Sequence, residues 1–143
     1  MNKIMICSLL LVPLATSAQD FGSEIEARQA AFESIEDKSE NLEDMLASRN
    51  LDWAAIETQS QQLDQHGKSL SQLFPNGSAD GSKAKEKVWQ DPAKFERLLA
   101  EMQQGFEELY TASQAQAQSV AQAGLEQAQA TCKGCHRTYR SRW

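Results

Sequence analysis

The chain has little of what builds a sheet, a disulfide scaffold or a membrane span. Only 3 cysteines, 3 prolines and 7 glycines occur in its 143 residues. No alternating run of β-branched residues is bounded by turn residues, so no strand is predicted. Cationic charge is scarce as well: 14 Lys and Arg stand against 20 Asp and Glu, a formal net charge of −6. Such a surface repels nucleic acid and anionic lipid and favours solubility. The one long apolar run, Ile4 to Leu14, is roughly a dozen residues against the ~20 that a spanning helix needs.

That run follows Lys3 and leads into Ala15-Thr16-Ser17-Ala18, with small residues at both positions of an A-x-A-type cleavage site. Residues 1–18 therefore read as a signal peptide, cleaved after Ala18, and export of this Sec-type precursor points to the periplasm. Cys7 leaves with the peptide, so only Cys132 and Cys135 remain. Losing Lys3 moves the formal charge from −6 to about −7. Residues 19–143 are enough for one domain with one core and too few for two.

Apolar residues recur at steps of three and four in four stretches, each marking one face of a helix. The first, within Phe21 to Asn50, carries Ile25, Phe32, Ile35, Leu42 and Leu46, interrupted by Arg28 and Ser39. Asp52 is a plausible N-cap for a second helix bearing Trp53, Ile56, Leu63, Leu70 and Phe74. Pro75-Asn76-Gly77-Ser78 is loop chemistry extending to about Ser82, and Lys83 to Trp89 reads as a short helical piece. Asp91-Pro92 reads as the N-cap and first residue of a third helix, through Phe95, Leu99, Met102, Phe106 and Leu109. The tract from Ser113 to Ala130 is rich in Ala and Gln. It suits a flexible linker by composition, but both residues are good helix formers, so a break near 113–116 and a fourth helix through Leu125, Ala128, Cys132, Cys135 and Tyr139 are predicted. The expected fold is all-α, an antiparallel four-helix bundle.

Cys132-Lys133-Gly134-Cys135-His136 has the spacing C-x-x-C-H of c-type haem attachment. On a helix, residues three and four apart share a face. Two thiols can then meet the two vinyl groups of one haem, and His136 can reach its iron. Two other readings of a close cysteine pair are weaker here. A redox-active C-x-x-C normally opens a helix after a strand, and no strand is available. Zinc needs about four ligands, and His66, far along the chain, is the only further strong candidate.

With this motif on the last helix, the continuation His136-x-x-Tyr139-Arg140, the run Arg28-Gln29-Ala30-Ala31-Phe32 in the first helix, and Val88-Trp89-Gln90-Asp91 before the third, the chain resembles the cytochrome c′ family of class II c-type cytochromes. The likeness spans essentially the whole of 19–143, although the second helix matches in pattern only. It implies one covalently attached haem c, thioethers at Cys132 and Cys135, and His136 as the proximal iron ligand. Arg28 and Gln29 would lie beside the haem edge, with Arg28 pairing with a propionate. That pairing would also relieve the cost of a cation in an apolar seam. Phe32 would cover the open face of the iron, and Arg140 would approach the proximal pocket. Arg140 also stands with Arg137 and Arg142 in the last turn, where the helix dipole favours cations by itself.

The region around Phe32 holds no Met or His, so five-coordinate iron is expected. An apolar pocket without a hydrogen-bond donor favours NO and CO over O₂. The expected function is NO binding, with CO as a second ligand. The alternative is a six-coordinate electron-transfer cytochrome served by an electron-donor protein. No catalytic constellation is visible, so the chain is not expected to be an enzyme. The resemblance further implies a homodimer packed through the first two helices, for which Met45 and Ala54 offer apolar positions outside the seam.

Overall fold

The computed structural model describes residues 20–142; the expected signal peptide at 1–18 lies outside the described residues. Five helices follow in order: α1 (Gly22–Ala47), α2 (Trp53–Leu70), α3 (Lys87–Gln90), α4 (Pro92–Gln114) and α5 (Gln118–Tyr139). The four long ones form the predicted all-α bundle. The seam of α1 is buried at Arg28, Ala31, Ile35, Ser39, Leu42 and Leu46, the three-and-four spacing that the sequence shows. Asp52 caps α2, its side chain accepting from the Ala55 N–H at 3.1 Å. Pro92 opens α4, where a missing N–H costs nothing. The Ala/Gln tract is helical from Gln118 onward. The chain turns before it at Gln116, which has a positive φ of 53° without being glycine.

Two expectations are corrected. The second helix stops at Leu70 and does not reach Phe74. Pro75 disfavours helical backbone at the residue before it, and turn bonds from Gln72 to Ser69 and from Leu73 to Leu70 close the end. Phe74, freed from the helix, packs edge-on against Phe95 with ring centroids 4.8 Å apart. The piece at Lys83–Trp89 is not one helical unit either. Ala84 instead forms an antiparallel bridge with Arg140, in which the Lys85 N–H donates to the Tyr139 carbonyl and the Ser141 N–H to the Lys83 carbonyl, both at 2.8 Å.

Helices α4 and α5 pack most extensively, because two glycines let their backbones meet. A Cβ on Gly105 would stand 2.6 Å from the Gly124 carbonyl oxygen, and one on Gly124 would stand 2.7 Å from the Leu109 nitrogen. Of the four contacts between long helices, α1 against α5 is the slightest. At one end of that seam the side chains of Gln118 and Gln122 both donate to the Leu46 carbonyl, at 2.7 and 3.0 Å. These bonds satisfy an orphan acceptor in the last turn of α1. At the other end lies the cysteine pair.

Candidate haem site

The last two turns of α5 carry Cys132, Cys135 and His136 on one face. Both cysteines are half-buried, and Cys135 packs against the apolar core. Burial pushes the Cys135 thiol up to about 11, and burial also raises Cys132. Both are therefore neutral thiols near pH 7. That is the reverse of the lowered pKa that marks a redox-active pair. Among the described residues no group of three or more His, Cys, Asp or Glu is placed to hold a metal ion. Burial, and then the charge of Arg140, lowers the pKa of His136, with Glu36 acting in the opposite sense. A neutral imidazole with a free lone pair is what an iron ligand requires.

α1 runs antiparallel to α5 across this face. Its Glu36 lies close enough to act electrostatically on both Cys132 and His136. Phe32 sits one turn before Glu36 and so is brought to the same end of the bundle. Its half-buried ring begins a chain of edge-on aromatic contacts: Phe32 to Phe74 at 6.4 Å, Phe74 to Phe95 at 4.8 Å, and Phe95 to Tyr139 at 5.2 Å. Arg140 lines a groove with His136, Lys83 and Lys133. Gln29 is exposed and lies along a different groove, with Asp80 and Gly81.

Arg28 is buried, and oxygens of the chain itself already hold its guanidinium. Nη1 donates to the Leu73 carbonyl at 3.0 Å and the Ser78 hydroxyl at 2.7 Å. Nη2 donates to the Ser78 carbonyl at 2.5 Å and the Ser82 hydroxyl at 2.7 Å. The guanidinium also lies 4.7 Å from the centroid of the Phe74 ring. Neutral oxygens of the 73–82 loop thus hold the cation, and the cation in turn fixes the loop that carries Phe74.

Tyr139, read in the sequence as a position of the fourth helix and of the extended motif, proves structurally central. It is 3% exposed, and its hydroxyl has no partner among the described residues. An unpaired buried hydroxyl costs about 1–3 kcal/mol, so a partner from outside the protein chain is favoured there. The residues fit a haem: two neutral thiols at the right spacing, a neutral imidazole beside them, an aromatic wall, and an unanswered hydroxyl one turn along. Phe74 and Phe95 belong to the same wall; the sequence shows both as apolar positions at helical spacing, without singling them out as site residues.

The family model described as Cytochrome C' matches residues 23–140. No curated protein sequence matches the chain. Among solved structures, cytochrome c prime from Shewanella frigidimarina is 28% identical, with a TM-score of 0.77 over 87% of this chain and 99% of that one. Cytochrome c' from Rubrivivax gelatinosus is 23% identical, with a TM-score of 0.78 over 87% of this chain and 100% of that one. A ferrous variant of the Alcaligenes xylosoxidans protein with bound NO is 20% identical, with a TM-score of 0.77 over 89% of this chain and 100% of that one. The site, the bundle and the match across nearly all the described residues agree: this chain belongs to the cytochrome c′ family and is a haem c protein.

Proposed function

We propose that this protein is a periplasmic haem protein that binds NO, and secondarily CO, at five-coordinate ferrous iron on an apolar open face. Cys132 and Cys135 would hold the haem through thioethers, and His136 would be its axial ligand. The haem, when bound, supplies an iron with one position free for a diatomic gas. The observation that carries the reading is Phe32. The side chain that α1 brings to the motif end is an aromatic ring, edge-on to Phe74, with no lone pair for iron and no donor for O₂.

Other candidates for a sixth ligand lie elsewhere, Met102 among them, buried in the core on α4. The Met45 sulfur accepts from Gln59 Nε2 at 3.2 Å, between α1 and α2. His66 lies on α2 within the electrostatic reach of Lys38. Phe32 and Phe74 exclude water, Arg28 holds Phe74 in place through the loop, and Arg140 lies beside His136. The role of Gln29 at the haem edge has no support from its position. A relative of this fold has been solved with bound NO, which accords with the proposal.

The protein acts in this reading by binding rather than by catalysis, after removal of residues 1–18, and as a homodimer through α1 and α2. The visible spectrum of the mature haem-loaded protein, ferric and dithionite-reduced, before and after CO and NO, tests it. High-spin bands that shift with either gas are expected. A low-spin spectrum indifferent to CO would replace this reading with that of an electron carrier.

A further inference from the structure

Segments 83–87 and 133–142 hold seven of the chain's 14 Lys and Arg residues and only one, Glu86, of its 20 Asp and Glu. Nearly fifty residues separate them in sequence, yet the bridge between Ala84 and Arg140 lays one beside the other. All seven cations are exposed. Lys83, Lys133, Arg137, Arg140 and Arg142 wall a groove of about 630 Å³ that also reaches His136. The remaining charge is of the opposite sign: α1 alone has eight acidic residues against two basic ones. A chain of net charge −6 therefore carries one concentrated positive pole, and it surrounds the C-x-x-C-H motif.

We propose that this pole is the docking surface for an acidic one-electron donor protein, which reduces the haem from ferric to ferrous and is itself oxidised by one electron. The inference rests on haem attachment at Cys132 and Cys135. It supplies what gas binding at ferrous iron requires, a route by which the iron is kept reduced. The two carboxylates of a haem cannot neutralise seven cations, so the pole persists in the loaded protein. A partner with an acidic face is drawn to this end and turned away from the acidic flank of α1, which orients it as well as attracting it. A membrane is the poorer occupant. The one exposed large hydrophobic residue among those described is Val120, near the start of α5 and far along that helix from the motif, so among the described residues no exposed apolar side chain of that size stands beside the cations to insert.

The test uses the haem-loaded protein, first shown by its pyridine haemochrome to hold haem covalently. A chain without such haem fails the underlying reading; with that haem present, the oxidation kinetics and peptide binding judge the docking surface alone. The reduced protein is oxidised by ferricyanide in stopped flow, from about 10 to about 300 mM ionic strength, a range that shortens the Debye length severalfold. The rate is expected to fall at least about threefold, because the anion senses the local positive pole and not the net charge. The pairs Lys83→Glu with Lys85→Glu, and Lys133→Glu with Arg137→Glu, should each flatten or invert that dependence, whereas Arg49→Glu at the far end should not.

A fluorescent deca-glutamate peptide, followed by anisotropy, should bind the wild-type protein at low salt and neither double variant. Three results would overturn the proposal. One is a rate that rises with salt, as the net charge alone dictates. Another is charge reversal without effect on rate or peptide binding. The third is binding to phosphatidylglycerol vesicles but not to the peptide, which would make the pole a membrane-facing surface.

Discussion

Replacing Gly124 by Ala should destabilise the protein by about 2 kcal/mol, although alanine is the better helix former. The added Cβ would meet the Leu109 nitrogen at 2.7 Å and the Gly105 carbonyl oxygen at 2.8 Å, where ordinary contacts begin near 3.4 Å. Both obstacles are backbone, so no rotamer change relieves them, and α4 and α5 must part by about 0.6–0.7 Å. A gap of that size forfeits roughly a quarter to a half of each dispersion contact along the seam. Overpacking of this kind costs about 1–3 kcal/mol, and the rigid neighbours place Gly124 at the upper end. The intrinsic gain of Ala over Gly in a helix returns about 1 kcal/mol.

The net loss corresponds to roughly a thirtyfold fall in the folding constant. Urea unfolding of the haem-loaded protein, followed by far-ultraviolet circular dichroism at fixed protein concentration, measures it. Gly134→Ala is the control. Its Cβ would meet only the Leu98 Cδ2, at 4.0 Å, so the same chemical change should stabilise by up to about 1 kcal/mol. A midpoint for Gly124→Ala at or above wild type would refute the close-approach account of the α4–α5 seam.

Phe32→Ala should speed CO binding to the ferrous protein and tighten it, because the ring at the motif end is removed; flash photolysis reads both, and unchanged kinetics would remove its gating role. Arg28→Met deletes four hydrogen bonds and strands acceptors at Ser78, which is 1% exposed, so a loss of about 3 kcal/mol is expected. Limited proteolysis should then cut the loop at residues 76–82 in the variant before the wild type. His66 has its folded pKa lowered from 6.5 by burial and then by Lys38. The unfolded chain therefore takes up the proton first as pH falls, and stability drops below about pH 6.5 while remaining unaffected well above it. His66→Gln should accordingly flatten the decline in urea midpoint between about pH 7 and pH 5, and a slope equal to wild type would show that His66 does not contribute it.

What was legible in the sequence was local. The seam of α1, the cap at Asp52, the opening of α4 at Pro92 and the C-x-x-C-H face of α5 each depend on residues within one or two turns. The apolar spacing that runs on to Phe74 misleads at α2, because periodicity does not register that Pro75 ends a helix a few residues before it. The partners of Arg28 lie 45 to 54 residues away, so its buried cation was evident in the seam while the oxygens that hold it were not. Likewise Gly105 and Gly124 look ordinary in sequence until their two backbones are seen to touch. The Ala/Gln tract resembles a linker by composition, yet its small side chains allow the closest helix pair in the bundle.

The two glutamines that grip the Leu46 carbonyl give the α1–α5 pair the mechanics of tongs. Those helices are riveted where α1 ends and α5 begins, and elsewhere touch less than any other long neighbours. Any spread between them therefore grows with distance from the rivet and is greatest at the jaws, where Phe32 and Cys132 stand. A flat rigid body held between the jaws would act at that free end, far from the bonds of Gln118 and Gln122 to Leu46. Loosening the rivet would let the gap open along its whole length, and the grip on whatever the jaws hold would slacken although no residue touching it had changed.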